Sequence, residues 1–117
     1  MKILMVDDSD VTRDLMRVFL EDMGHQIVGE AENGKNAIKF FTEMRPDLVL
    51  LDLVMPGKTG LEVLEEIRVI DPAAKVIMVT AVEQDGIDKE LLEKGAMAIL
   101  RKPFSYSEFN EVLKKLA

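Results

Sequence analysis

The sequence predicts a doubly wound α/β fold, a five-stranded parallel sheet with helices on both faces, built from five βα units in one domain of residues 1–117. Three observations predict it. Short apolar runs alternate with amphipathic stretches five times along the chain, as repeated βα units require. The run Leu48–Leu51 is apolar at every position, the pattern of a strand covered by helices on both faces. Helix caps and turn residues punctuate the joins, and right-handed crossovers then place successive helices against the sheet.

The first run, Ile3–Val6, leads into a helix with apolar positions Val11, Leu15, Phe19 and Met23, spaced by four and stopped by Gly24 at C′. Gln26–Ala31 is the second strand. After Asn33 and Gly34, Ala37, Ile38, Phe41 and Met44 fall at helical spacing, and Pro46 forbids any continuation. Leu48–Leu51, the third strand, is expected at the centre of the sheet. Thr59 and Glu62 have capping-box spacing, and Leu61, Leu64, Ile67 and Ile70 carry that helix to the Asp71–Pro72 turn. Val76–Val79 is the fourth strand; an acidic helix with Ile87, Leu91 and Leu92 follows and stops at Gly95. After a short strand at Ala98–Leu100, Ser105 and Glu108 form a second capping box. The last helix carries Phe109, Val112, Leu113 and Leu116 and is expected to run to the final residue.

Composition excludes several classes. A chain of 117 residues buries a core without disulfide or metal staples. It has no cysteine, which removes disulfides and thiolate metal sites and points to a reducing, cytoplasmic setting. The apolar run at the N-terminus ends at two carboxylates and is too brief for a signal peptide or a membrane span. The net charge of −7, from 22 acidic and 15 basic residues, repels nucleic acid, and no basic patch offsets it. Lys114 and Lys115 fit the negative end of a helix dipole instead. Protein partners or a metal remain.

In a parallel sheet all strands end at one edge, and ligands bind in the crevice there. Asp7 and Asp8 follow strand one, Asp52 strand three, Thr80 strand four and Lys102 strand five. Taken singly, Thr80 reads best as a helix cap and Lys102 as a solvated loop residue. Asp7 is too early to cap the first helix, a task open to Ser9 or Asp10. Two carboxylates about 4 Å apart repel by roughly 4 kcal/mol at an effective dielectric near 20, which is large against a domain stability of about 5–15 kcal/mol. Grouping three makes little sense for folding alone; it makes an oxygen-rich site for a hard cation, and Mg²⁺ suits a shallow edge. The single His25 lies in a turn, and no zinc site can be assembled.

The segments VDD, LLDLVMPG, VTA and RKPF closely resemble those of the response-regulator receiver family, the CheY-like proteins, over the whole chain. The resemblance implies the flavodoxin-like strand order 2-1-3-4-5. It further implies that Asp52 accepts a phosphoryl group and that Asp7, Asp8, Asp52 and the backbone carbonyl of Val54 hold Mg²⁺, with Mn²⁺ as a substitute. Thr80 and Lys102 would contact the phosphoryl oxygens. The implied partners are a sensor histidine kinase or phosphotransfer protein as donor and a protein target on the face of the fourth helix, fifth strand and fifth helix, without direct nucleic-acid binding or membrane insertion. The module is expected to be a stand-alone switch that assists only its own phosphorylation and slow dephosphorylation. The family's switch position three residues before the lysine is aromatic; here it is Ile99, which cannot reproduce the motion of a ring bearing a hydroxyl. Val54 and Val82, two residues past Asp52 and Thr80, flank the route of water, and a long-lived phosphoryl group is expected.

Three rivals exist. A phosphatase of the haloacid-dehalogenase type needs a second Asp two residues after the nucleophile as general acid, where this chain has Val54. A flavodoxin-like cofactor binder needs a phosphate cradle after strand one, where the loop reads DDSD and repels anions. A receiver cut from a larger regulator with a DNA-binding or enzymatic output domain is the third.

Overall fold

The computed structural model describes residues 1–116. Ten elements alternate along it: β1 (Lys2–Val6), α1 (Asp10–Asp22), β2 (Gln26–Ala31), α2 (Gly34–Met44), β3 (Leu48–Leu51), α3 (Gly60–Ile70), β4 (Val76–Thr80), α4 (Ile87–Glu93), β5 (Ala98–Arg101) and α5 (Tyr106–Lys114). The strands form one parallel sheet in the order β2-β1-β3-β4-β5, so β3 is central, as its unbroken apolar run predicts. Thr80 is the last residue of β4 rather than a residue beyond it. The expected run of α5 to the chain end is corrected to a stop at Lys114, while Ala117 lies outside the described residues.

The order reverses between β1 and β3, which leave in opposite directions from the middle of the sheet. That is where a crevice opens at the C-terminal edge. Register aligns the two strands at this point: Val6 pairs with Leu51, so Asp7 and Asp52 each follow the last pair. The ladder continues one step further, through Asp52 N–H to the Val6 carbonyl (2.8 Å) and Asp7 N–H to the Ala31 carbonyl (3.0 Å).

Each face of the sheet has its own apolar cluster. On one side Leu4, Val6, Val49 and Leu51 pack with Phe41 of α2, Val63, Leu64 and Ile67 of α3, and Leu91 of α4. On the other, Ile3, Met5, Leu48 and Leu50 pack with Met16 and Leu20 of α1 and Phe109 and Leu113 of α5. The two capping boxes form as the sequence predicts, and Ser9 rather than Asp10 caps α1. Ser9, Asn33, Thr59 and Ser105 accept backbone N–H groups at their helix starts, the last two as complete capping boxes. Gly24 and Gly95, with φ of +82° and +108°, end α1 and α4 in the left-handed conformation that favours glycine.

The predicted stripe of α1 is corrected. Val11 and Leu15 are 79% and 42% exposed, and the fully buried residues are Met16 and Leu20. A spacing of four outruns the 3.6-residue turn, so a stripe drawn at i, i+4, i+8 drifts around the helix. Met44 of α2 and Leu92 of α4 are likewise exposed. Among the described residues, no helix is long and apolar enough to cross a membrane.

Candidate functional site

The backbone fixes the Asp52 carboxylate first. Asp52 sits one residue past β3, held by its ladder bond to β1, and its side chain is buried. The start of α3 then closes over this strand end, with Gly60 N–H donating to the Leu53 carbonyl at 2.7 Å. A Cβ at Gly60 would strike the Asp52 carbonyl oxygen and the Leu53 Cα, so only glycine admits this approach.

Asp7 is fully buried and has a partner at each oxygen: Ser9 N–H donates to Oδ1 at 2.9 Å and the Lys102 ammonium donates to Oδ2 at 2.6 Å. Lys102 Nζ also lies 3.6 Å from Asp52 Oδ1 and thus bridges the two buried carboxylates. Asp8 is exposed. Asp7, Asp8 and Asp52 nevertheless each offer an oxygen within 4.8 Å of the others. Three carboxylates and one ammonium leave a formal charge of −2 in a donor set made of oxygen alone. That charge and chemistry fit a hard divalent cation such as Mg²⁺.

Burial raises the Asp52 carboxyl to about 6, reinforced by the charge of Asp7 and opposed by Lys102. Val54 N–H points toward Asp52 Oδ1 at 3.5 Å, while the Val54 side chain is exposed. Thr80 is fully buried; its Oγ1 accepts Val82 N–H at 3.0 Å, and its carbonyl accepts Lys102 N–H at 3.0 Å. The β4 end and the lysine loop are therefore joined at the backbone, next to the cis Lys102–Pro103 peptide. Val54 and Val82 line one cavity of about 310 Å³, together with Met55, Gln84 and Ile87. Ile99 is half-buried and packs against the cluster containing Leu91.

All five edge residues read from the sequence thus have a place at the sheet's C-terminal edge. Two arginines escaped that reading. Arg13 donates from Nη1 to the Asp7 carbonyl at 2.5 Å and from Nε to Glu30 at 3.2 Å, which fastens the loop carrying both acidic residues to β2. Its signal was present, because helical geometry places a residue in the first turn of α1 back over the loop before it. Arg101 binds the Val82 carbonyl and Asp88, and nothing in its spacing distinguishes it from any charged strand residue.

The geometry has close counterparts. Residues 3–114 match the family described as response regulator receiver domain. The chain is 41% identical over 117 residues to the chemotaxis protein CheY of Listeria monocytogenes, covering all of this chain and 98% of that protein. It is 40% identical over 114 residues to the sporulation initiation phosphotransferase F of Bacillus subtilis, covering 97% and 91%. Among solved structures it superposes with a TM-score of 0.93 on a CheX–CheY–BeF₃–Mg complex from Borrelia burgdorferi, at 30% identity and with 98% of this chain and 87% of that one covered. The fold, the match over nearly the whole chain and these relatives agree: this protein belongs to the response regulator receiver family, the CheY-like domains of two-component signalling.

Proposed function

We propose that the protein is a phosphorylation switch in which Asp52 is the acceptor. The observation that carries this reading is the convergence of three carboxylates within 4.8 Å on a lysine that contacts two of them. One oxygen of the Asp52 carboxylate attacks phosphorus, the bond from phosphorus to the donor atom breaks, and the leaving group departs with that electron pair, giving an acyl phosphate. Asp7, Asp8, Asp52 and the Val54 carbonyl would hold Mg²⁺ or Mn²⁺. When bound, the cation neutralises charge on the phosphoryl oxygens.

The chain's own groups do the rest. Lys102, already between Asp7 and Asp52, supplies a second positive charge to the phosphoryl group. Thr80 has its hydroxyl hydrogen available to a phosphoryl oxygen, since Oγ1 serves as acceptor for Val82. The donor is a phosphohistidine of a sensor kinase or phosphotransfer protein in the cytoplasm, and the target reads the face of α4, β5 and α5. The apolar pair Val54 and Val82 keeps water from being activated beside the acyl phosphate and lengthens its life.

Incubation with acetyl phosphate and Mg²⁺, followed by mass mapping, tests donor, metal and acceptor together. One phosphoryl group on Asp52, absent with EDTA and absent in Asp52→Asn, is the expected outcome. Modification elsewhere, or equal modification without divalent metal, would refute the assignment.

A further inference from the structure

A chain of hydrogen bonds leaves the site toward α4. Val82 N–H donates to Thr80 Oγ1 at 3.0 Å. The carbonyl of Val82 accepts Nη1 of Arg101, and Nη2 of Arg101 donates to Asp88 Oδ2 at 2.6 Å in the first turn of α4. Glu83 stands 3.7 Å from Arg101 Nε. We propose that Arg101 is the positioning residue through which the state of Thr80 reaches α4, by holding the Val82 carbonyl and the Asp88 carboxylate on one guanidinium.

Three observations favour this over an ordinary ion pair, which at this exposure would add little by itself. The first is the backbone partner: Val82 is bonded through its N–H to Thr80 and through its carbonyl to Arg101, so displacement of the hydroxyl acts on one of the two peptide units flanking Val82 while Arg101 holds the other. Next, Asp88 Oδ1 is buried without a hydrogen-bond partner among the described residues, which leaves the carboxylate dependent on Arg101. A shift of the guanidinium takes the ion-pair partner from Oδ2 while Oδ1 stays buried and unpaired, unless the helix follows. Finally, alternation along β5 places Ile99 and Arg101 on one face and Leu100 on the other. Ile99 offers no polar atom, so on this face of β5 the polar link falls to Arg101. The planar fork of arginine serves two acceptors at once, which a lysine ammonium at the same place does less well. α4 is free to respond, since its seven residues bury only Leu91.

This inference rests on Asp52 as the acceptor, and the test separates the two. Backbone amide spectra of the full chain are recorded with Mg²⁺, with and without beryllofluoride, for the unaltered protein, Arg101→Met, Arg101→Lys and Asp88→Asn. In the unaltered protein the additive should shift residues beside Asp52, Val82 and residues 87–93. In Arg101→Met and Asp88→Asn the shifts beside Asp52 persist, while those of residues 87–93 fall to about a third or less, with Arg101→Lys between. The two variants break the link from opposite ends, so misfolding of one leaves the other as the test. Undiminished shifts of residues 87–93 in the folded variants would overturn the role of Arg101 and leave Asp52 untouched. No shift beside Asp52 in the unaltered protein would overturn both.

Discussion

Asp7 and Asp8 are neighbours in sequence with opposite structural debts. Asp7 is buried and is the short-range partner of Lys102, whereas Asp8 faces solvent and adds charge to the cluster while making no side-chain hydrogen bond among the described residues. In EDTA, Asp8→Asn should therefore leave stability unchanged or raise it slightly, while Asp7→Asn leaves Lys102 half-paired and costs about 3 kcal/mol. Urea unfolding distinguishes them, and equal effects would show that burial does not matter here. The raised carboxyl of Asp52 gives a pH dependence of fixed sign. Its folded pKa, about 6, lies above the unfolded 3.8, so its protonation favours the fold below about pH 4 and that contribution is lost as pH rises through 6. Without metal, the unaltered protein should lose no more than about 3 kcal/mol relative to Asp52→Asn between pH 4 and 6, then run parallel to it. Thermal melts across that range report the difference; a gap that narrows with rising pH would contradict the burial argument. Val54 is 61% exposed two residues past Asp52, the proposed acceptor, so Val54→Asn should fold normally and, by activating water, speed loss of the phosphoryl group by about tenfold. Loss of radiolabel at an unchanged rate would remove Val54 from that role.

At the scale of elements, the joins were easier to read than the faces. The caps Ser9, Asn33, Thr59 and Ser105 are local chemistry, fixed by hydrogen bonds within three residues, so the spacing shows both capping boxes and narrows the first cap to Ser9 or Asp10. The acidic and basic site residues were legible for a related reason: a parallel sheet gathers whatever follows its strands. The buried face of α1 was less legible, because Val11, Leu15 and Val18 are apolar yet exposed, and only packing against α5 shows that Met16 and Leu20 point inward. Arg101 was invisible for the same reason, since its partners lie in a loop and a helix before it in sequence. The approach of α3 to β3 is a contact between elements that hinges on one atom. Gly60→Ala should push the start of α3 away from Asp52, cost about 1–3 kcal/mol and slow phosphorylation together. A variant that keeps both unfolding midpoint and phosphorylation rate would mean that the strand end yields freely.

Across the whole molecule the two faces of the sheet are built differently. Phe19, Phe104 and Phe109 meet beneath the sheet on the side of α1 and α5, with centroids 5.4–6.3 Å apart, and Tyr106 joins them through Phe19 at 5.1 Å while its hydroxyl donates to Asp22 at 2.6 Å. Such edge and stacked contacts add to the burial of large rings and tie the last helix to the first. On the opposite side, α2 and α3 bury Phe41, Leu64 and Ile67, but α4 is short, lacks a side-chain cap and is pinned by Leu91 and Arg101. The aromatic layer thus serves as ballast: it gathers large buried rings on the side of α1 and α5, whereas α4 on the other side is the lightly moored helix. A domain arranged in this way can be rewired by evolution at the α4 surface, residue after residue, without each trial endangering its existence as a folded body.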